Sequence, residues 1–275
     1  MEPRVPSLPY RGDGTDRPAG FALPPGRMPR WAGGRPLKRW RYAGVFGSEV
    51  MLCAGLVAIA GVRRSVGFWA VWDRRAGDLR ERTRLGGGGV RLPWGRVLVD
   101  DGVDRVELEL AGAGDPVEVV SPHGEGYVWT RKLPVRARGT ACGVPVDARG
   151  LIDETAGYHA RRTAWRWSAG VGRSADGVAV AWNLVDGIHD APGASERTVW
   201  EDGAAREVGP VAFAADLGRV GDLRFTPEAR RARRERFVVL GSDYEQPFGT
   251  FAGALPGGIA LAEGFGVMER HAARW

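Results

Sequence analysis

The segment Arg96-Val-Leu-Val-Asp-Asp-Gly-Val-Asp-Arg-Val-Glu-Leu-Glu-Leu110 indicates how this chain folds. Apolar side chains occupy every second position of Val106–Leu110, so they share one face of a strand and leave Glu107 and Glu109 in water. The turn residues Asp100–Gly102 separate this strand from the apolar residues before it. Two such runs around an Asp-Gly pair predict an antiparallel hairpin.

The same pattern recurs on both sides of this hairpin. Strand-like runs precede it at Arg39–Ala43 and Gly67–Trp72, and later turn signals stand at Asp176-Gly177 and Glu201–Gly203. The 42 Gly and 18 Pro residues suit many short strands better than long helices. The best helix candidate is Pro227–Arg236, with proline at the first helical position. We therefore predict an all-β protein of two antiparallel barrel or sandwich lobes, each with about seven or eight strands, and few short helices.

Composition divides the chain into three parts. Residues 1–35 are rich in Pro, Gly and Arg, and they predict an N-terminal arm that is either disordered or extended over the fold. The polar, glycine-containing stretch 148–157 predicts a boundary. We expect an N-terminal β lobe over 36–150 and a C-terminal β lobe over 151–275.

The basic character of the chain is weak evidence for a nucleic-acid partner. The net charge is +6, but Lys38 and Lys132 are the only lysines, and Asn183 and Gln246 are the only residues of their types. This preference for arginine over lysine, with almost no asparagine, is typical of a genome whose base composition disfavours Lys and Asn codons. The arginine run Arg230–Arg236 lacks interleaved aromatic residues and a recognised binding module, so nucleic-acid binding is unlikely.

Metal, cofactor and membrane signals are absent from the sequence. Cys53 and Cys142 lie in apolar runs and predict buried thiols, and no Cys-x-x-Cys, His-Glu-x-x-His, P-loop or nucleophile-elbow motif occurs. Gly170–Ala175 fits a loose dinucleotide pattern but leads into a hairpin instead of a helix. The apolar run Val50–Ala60 is about half of the ~20 residues that a membrane helix needs. We expect no metal, no cofactor, no membrane span and a cytoplasmic location.

The region Asp153–Asp190 holds most of the candidate functional residues. His159 and His189 are candidates for proton transfer because histidine titrates near neutrality. Asp186 or Asp190 could fix the tautomer of His189. The alternatives are that His189 is a turn former in a polar loop and that His159 hydrogen-bonds a buried backbone group.

Two further candidates are Asn183 and Glu269. Asn183 ends the apolar strand Val178–Trp182, where it either faces a ligand beside Ala179 and Ala181 or satisfies the hairpin backbone. Glu269 shares a strand face with Phe265, Val267 and His271. Glu269 and His271 form either a buried acid–base pair or, as the sequence slightly favours, a solvated strand end. The aromatic residues predicted to line a binding site are Tyr158, Trp165, Trp167 and Trp182.

Several segments together resemble the bacterial family called domain of unknown function 2804, over roughly Pro24 to Trp275. The family is more distantly similar to two-lobed lipocalin-like proteins that include carotenoid hydratases and related cyclases. The resemblance implies lipocalin-like lobes and supplies no catalytic residues. The segments that carry it are Pro36–Gly47, Phe68–Asp73, Glu154–His159, Trp165–Gly170, Trp182–Gly187, Gln246–Phe251 and Gly266–Glu269.

Three functional hypotheses follow. In the first, the protein isomerises, hydrates or cyclises an apolar, terpenoid- or lipid-like molecule, using His159, Asn183, His189 and Glu269. In the second, it binds such a molecule without catalysis. In the third and least favoured, it is a basic protein that binds nucleic acid or an anionic surface.

Overall fold

The computed structural model describes residues 8–236 and 241–274, and its regular structure consists of antiparallel strands with no helix among those residues. The strands are β1 (Tyr10–Gly12), β2 (Trp31–Ala32), β3 (Arg35–Pro36), β4 (Lys38–Phe46), β5 (Val50–Ile59), β6 (Val66–Asp73), β7 (Asp78–Leu85), β8 (Val90–Arg91), β9 (Arg96–Asp100), β10 (Arg105–Gly112), β11 (Val117–His123), β12 (Gly126–Ala141), β13 (Val144–Gly157), β14 (Arg162–Ser174), β15 (Ala179–Asp186), β16 (Thr198–Glu201), β17 (Ala204–Glu207), β18 (Arg219–Val220), β19 (Leu223–Arg236), β20 (Gly241–Leu255) and β21 (Ile259–Arg274).

The strands form two large sheets and one small hairpin. The first sheet has eleven strands in the order β7-β6-β5-β4-β13-β12-β10-β9-β8, with β11 pairing both β12 and β1. The second sheet has eight strands in the order β17-β16-β15-β14-β21-β20-β19-β18. β2 and β3 pair only with each other. The chain passes from the first sheet to the second between β13 and β14.

Each sheet curls around an apolar core of its own, and the opposite faces of the two sheets pack on each other. Val45, Leu52 and Val71 belong to the core of the first sheet, and Trp182 and Phe251 to that of the second. A third core, the inter-sheet core, combines residues of both sheets. Because side chains alternate along a strand, every second residue of the central strands reaches this inter-sheet core. The all-β, two-lobed prediction is confirmed.

The predicted hairpins are present, whereas the predicted helix is wrong. β9 and β10 pair around Asp100–Gly102, and β14 and β15 pair around Asp176-Gly177. Pro227–Arg236 lies within β19, which pairs with β20 along its length. Pro227 stands at a bulge, where the missing N–H does not interrupt the ladder. Sheet pairing therefore overrides the local helix signal in this segment.

The boundary between the two sheets differs from the predicted position. Residues 150 and 151 lie in the middle of β13, which belongs to the first sheet and pairs with both β12 and β4. The sheets change at residues 158–161. The described part of the arm is extended over the first sheet, since β1 pairs with β11.

The arginine run of β19 is accompanied by acidic neighbours. Arg230 pairs with Glu245, with 2.6 Å between Nε and Oε1, and Arg234 pairs with Asp243. This run is therefore not a uniformly positive surface. Across the described part of the chain, nothing helical is long and apolar enough to cross a membrane.

Candidate functional site

A row of polar and aromatic side chains crosses the inter-sheet face of the second sheet. Arg231 of β19 is opposite Gln246 of β20, and Glu269 of β21 is opposite Trp167 of β14. The Gln246 amide nitrogen donates a hydrogen bond of 2.7 Å to Glu269 Oε2, which joins the two halves of the row. We call Arg231, Gln246, Glu269 and Trp167 the Glu269 row.

Glu269 is buried, with 8% of its surface exposed. Its second oxygen, Oε1, accepts a 2.8 Å hydrogen bond from the Trp165 indole N–H. Burial, reinforced by the charge of Asp153, raises the pKa of Glu269 to about 7, although the bonds from Trp165 and Gln246 oppose the rise. At neutral pH this carboxyl group is therefore present in both protonation states, which suits a general acid or base.

Partly exposed aromatic rings from both sheets lie around Glu269. The Trp40 and Trp165 rings stack with 6.2 Å between centroids, Trp165 contacts His271 at 4.4 Å, and His271 contacts Tyr244 at 5.4 Å. Phe68 adds a ring from the first sheet. We call Trp40, Phe68, Trp165, Tyr244 and His271 the aromatic rim. The rings of the aromatic rim therefore provide apolar surface beside the buried carboxyl group of Glu269.

The position of Phe68 depends on a glycine. A Cβ atom at Gly55, the residue opposite Phe68 in β5, would stand 2.2 Å from Phe68 Cζ. The ring therefore lies over the bare backbone of Gly55. Any larger residue at this position would displace Phe68 from the rim.

The Arg231 cluster lies at one end of the Glu269 row. The side chain of Arg231 is 4% exposed, and its Nε donates to Glu81 Oε2 over 2.8 Å. Its Nη1 points to uncharged partners, with Cys53 Sγ at 3.2 Å and Tyr244 Oη at 3.3 Å. Burial raises the pKa of Cys53 and that of Tyr244 although Arg231 opposes both shifts. Both groups are therefore neutral at neutral pH, and both accept a hydrogen bond from Arg231.

The Lys132 cluster joins the two sheets through buried charges. Lys132 Nζ of β12 lies 2.6 Å from Asp153 Oδ2 of β13 and 3.4 Å from Glu196 Oε2, which precedes β16 in the second sheet. Burial alone would lower the pKa of Lys132, but the two carboxylates raise it. Lys132 therefore remains charged, and the cluster holds one cation between two acids.

Asn183 connects the Lys132 cluster to the Glu269 row. Its Oδ1 accepts a 2.7 Å hydrogen bond from the Trp167 indole N–H. Its Nδ2 donates to the Glu196 backbone oxygen at 3.0 Å and to the Glu196 carboxylate at 3.3 Å. Asn183 faces the inter-sheet core, as its alternation with Ala181 predicts. In this position it orients Trp167.

The two predicted histidines lie together on the side of the site nearest the arm. The His159 ring packs on Trp40 at 4.8 Å and on His123 at 5.4 Å. His189 Nδ1 lies 2.9 Å from Ser121 Oγ, and its positive φ of 52° fits the loop alternative. Burial lowers the pKa of His159 and that of His189 far enough that both rings are neutral at neutral pH.

Two predicted aromatic residues lie outside the site. Trp182 neighbours Asn183 in sequence, so it points to the opposite face of β15, where its indole N–H donates to Ser168 Oγ in the core of the second sheet. Tyr158 packs under the arm, and its hydroxyl donates to the Pro29 backbone oxygen at 2.7 Å. Neither side chain faces Glu269, so both are corrected to packing residues. Trp165 and Trp167 do border the acid.

Sequence reasoning missed several residues of the site, and composition contained a signal for some of them. Lys38, Lys132, Asn183 and Gln246 are rare residue types in this chain, and all four are buried. Lys132 and Gln246 belong to the Lys132 cluster and the Glu269 row, and Asn183, which the sequence did single out, connects the two. Polar residue types that are rare in this chain therefore occur at buried polar contacts. Arg231 and Tyr244 carried no such signal, because the chain is rich in arginine and Tyr244 has ordinary neighbours.

Among the described residues, no group of His, Cys, Asp and Glu is arranged to hold a metal ion. A surface groove of about 360 Å³ lies elsewhere, beside β9, β10 and β12, and contains no predicted site residue. It is lined by Gly95, Arg96, Glu109, Leu110, Ala111, Arg136 and Arg138.

One family profile, described as domain of unknown function (DUF2804), matches residues 134–275. The chain belongs to this family. The matched region covers just over half of the chain and is the C-terminal part of the span predicted from sequence. It contains Asn183, Arg231, Gln246 and Glu269, whereas Lys132 precedes it. No curated protein matches the chain in sequence.

Solved structures with similar overall architecture share little sequence with this chain. A protein described as AttH from Nitrosomonas europaea is 12% identical, with 92% of this chain and 97% of that one covered and a TM-score of 0.41. Kievitone hydratase from Nectria haematococca is 7% identical, with coverages of 85% and 88% and a TM-score of 0.44. CghA is 9% identical, with coverages of 86% and 88% and a TM-score of 0.41. Because these TM-scores are low, we assign the fold from the strand pairing of this chain alone.

Proposed function

We propose that the protein binds an apolar, terpenoid- or lipid-like small molecule between its two sheets and isomerises, hydrates or cyclises it by acid–base chemistry. The observation that carries this proposal is Glu269, a buried acid with a pKa of about 7 behind an aromatic rim. An apolar wall around a carboxyl group is a common means of keeping an acid protonated near neutrality.

The roles follow from the contacts. Glu269 transfers the proton, and Trp165 and Gln246 hold its two oxygens in place. Trp165 and Trp167 contact the apolar part of the ligand, and Asn183 positions Trp167. His159 supports the rim through Trp40. His189 lies beside the Lys132 cluster, where burial and the Lys132 charge lower its pKa and keep its ring neutral, so it contributes a hydrogen-bonding group to this side of the site instead of taking a proton.

Binding and proton transfer can be tested with farnesol and farnesylacetone as probes. Native mass spectrometry and tryptophan fluorescence measure binding, and mass spectrometry of the ligand after incubation in D₂O measures deuterium on carbon. We expect wild-type protein to bind at least one probe and to label it. Glu269→Gln should bind within about threefold of wild type, since it keeps shape and loses only the proton donor, and should give no label.

The control is Glu263→Gln, which changes an exposed glutamate of the same strand that forms an ion pair with Arg173 at 3.9 Å. It should behave as wild type. Failure of wild-type protein to bind either probe would contradict the proposal. Binding without deuterium would contradict its catalytic half and leave the alternative of a ligand carrier.

A further inference from the structure

The buried guanidinium of Arg231 is incompletely neutralised at its inner end. Its acidic partner Glu81 has a side chain that is 42% exposed, so that carboxylate is at the solvent edge. Toward the interior, the hydrogen-bond partners of Nη1 within residues 8–236 and 241–274 are a thiol and a phenol. A charged donor that is removed from water and faces neutral groups can gain free energy when an anionic or strongly polar acceptor arrives.

A second observation in the same place is an unsatisfied amide oxygen. Gln246 is fully buried, and its Oε1 has no hydrogen-bond partner among residues 8–236 and 241–274. Buried polar atoms are nearly always paired, so this oxygen points to an absent hydrogen-bond donor, which the O–H of a ligand in its enol form can supply. Gln246 lies between Arg231 and Glu269 in the Glu269 row.

The spacing of the row limits what such a ligand is. Adjacent strands are about 4.8 Å apart, so the backbones of Arg231 and Glu269, two strands apart, are separated by roughly 10 Å. Both side chains extend over the inter-sheet face. A polar oxygen held by Arg231 and Tyr244 would therefore place its neighbouring carbon atoms toward Glu269.

We propose that Arg231 and Tyr244 bind the carbonyl oxygen of the ligand, so that the substrate class is an apolar ketone or enone with an enolisable carbon. This inference rests on the proposed function and assigns its substrate class. N–H and O–H donors that are fixed at a developing oxyanion are a general way to stabilise an enolate. The aromatic rim takes the hydrocarbon part of the same molecule.

The chemical step balances without a further reactant. The carboxylate of Glu269 takes a proton from the carbon beside the carbonyl, and the C–H electron pair becomes a C=C bond. The carbonyl π pair moves to oxygen, where Arg231 N–H and Tyr244 O–H hold the enolate. Glu269 then returns the proton to the same carbon, or to a conjugated carbon if the substrate is an enone, and a neutral carbonyl compound is restored.

The probe pair for this inference is farnesylacetone and the alcohol obtained by reducing its carbonyl group. The two molecules share a chain and differ at the oxygen. We expect wild-type protein to bind the ketone about tenfold or more tightly than the alcohol, since hydrogen bonds that involve a charged group are the stronger ones. In D₂O it should also exchange the protons beside the carbonyl faster than buffer does.

The variants are Tyr244→Phe, Arg231→Lys and Arg231→Met. Tyr244→Phe removes one hydroxyl and should weaken ketone binding about three- to tenfold, whereas Arg231→Met should weaken it about ten- to hundredfold. Arg231→Lys should lie between wild type and Arg231→Met, because it keeps the charge but loses the planar fork. None of the three should change alcohol binding by more than about threefold.

Arg234→Met is the matched control, because Arg234 is an exposed arginine of the same strand that pairs with Asp243. It should leave ketone binding unchanged. If Arg231→Met does not fold, Tyr244→Phe and Arg231→Lys carry the test. Equal binding of ketone and alcohol, or ketone binding that is insensitive to these variants, would overturn the substrate class and leave the proposed function intact. Failure of wild-type protein to bind either molecule would overturn both.

Discussion

Two buried cations between the sheets, Lys132 and Arg231, have contrasting surroundings. Lys132 has two carboxylates, Asp153 and Glu196, within 3.4 Å of its ammonium group. Arg231 has one carboxylate, which is partly in water, and its inner nitrogen faces a thiol and a phenol. Both sites lie between the sheets, yet Lys132 has two carboxylate partners and Arg231 has one, which is at the solvent edge.

This difference separates a structural role from a binding role. The Lys132 cluster spans both sheets, and Asn183 links it to Trp167, so it fixes the distance and register between the lobes. The Arg231 cluster borders the aromatic rim and the unpartnered oxygen of Gln246. Removing the charge of Lys132 should therefore destabilise the fold. Removing the charge of Arg231 should instead change ligand binding.

The largest expected effect is the loss of stability in Lys132→Met. The change leaves Asp153 and Glu196 buried without their cation, which typically costs about 3–5 kcal/mol of unfolding free energy. Urea denaturation of the variant and wild type measures this difference. Arg138→Met removes a cation from an exposed pair with Asp147 and should cost less than about 0.5 kcal/mol. Equal stability of Lys132→Met and wild type would refute a structural role for this cluster.

The second prediction concerns the pH dependence of Glu269→Gln. The pKa of Glu269 is about 7 in the folded protein and 4.5 in the ordinary state. Below pH 4.5 Glu269 is protonated in both the folded and the unfolded chain, so wild type has its full stability relative to the variant. As the pH rises toward 7 the unfolded chain loses a proton that the folded chain keeps, so wild type loses stability relative to the variant.

We therefore expect the unfolding free energy of Glu269→Gln minus that of wild type to increase by about 2–3 kcal/mol between pH 4.5 and pH 8. Denaturant titrations at several pH values measure it. Burial lowers the pKa of His271 to about 4, and this gives the opposite trend, but it is common to both proteins and cancels. A difference that does not change with pH would mean that Glu269 has an ordinary pKa.

The third prediction is the coupling between Asn183 and Trp167. Asn183→Ala removes the acceptor of the buried Trp167 indole N–H and should cost about 1–3 kcal/mol. Trp167→Phe removes the donor, so Asn183→Ala should cost less in that background than in wild type. A double-mutant cycle in urea measures this coupling, which we expect to be at least about 0.5 kcal/mol. Strict additivity would contradict the positioning of Trp167 by Asn183.

The smallest expected effect is the difference in unfolding free energy between two variants that each lose a tyrosine hydroxyl. Tyr158→Phe loses a 2.7 Å hydrogen bond to the Pro29 backbone oxygen and should cost about 1 kcal/mol. Tyr244→Phe loses a 3.3 Å contact to Arg231 and should cost less than that. Thermal or urea unfolding of both variants ranks them. The reverse ranking would indicate that Tyr244 is needed for folding more than for binding.

Sequence patterns predicted the strands better than their assembly. Period-two alternation placed Val106–Leu110 and Asn183 on their observed faces, because alternation depends only on backbone geometry. It slightly favoured a solvated Glu269, which is wrong, because the packing of the second sheet against the first buries this residue. The predicted boundary at 150/151 lies inside the long strand β13. The glycine and polar residues of this strand suggested a linker, but they pair with β4 and β12 instead.

The Arg231 cluster was beyond reach of the sequence. Arg231 lies in a run of arginines, and one of them becomes buried only because β19 pairs with β20 and packs against Cys53 and Phe68 of the other sheet. Such contacts join residues more than 150 positions apart. Local propensity therefore predicted the wrong secondary structure there, and residue type alone predicted a solvated surface.

The carbonyl stretching frequency of bound farnesylacetone, carrying ¹³C at the carbonyl carbon, tests the central claim most directly. If Arg231 and Tyr244 hold the ketone oxygen, isotope-edited infrared spectra should show the band at lower frequency in wild-type protein than in cyclohexane, because hydrogen bonds weaken the C=O bond. In Tyr244→Phe the band should shift part of the way back. A bound ketone whose band coincides with that in cyclohexane would contradict the account.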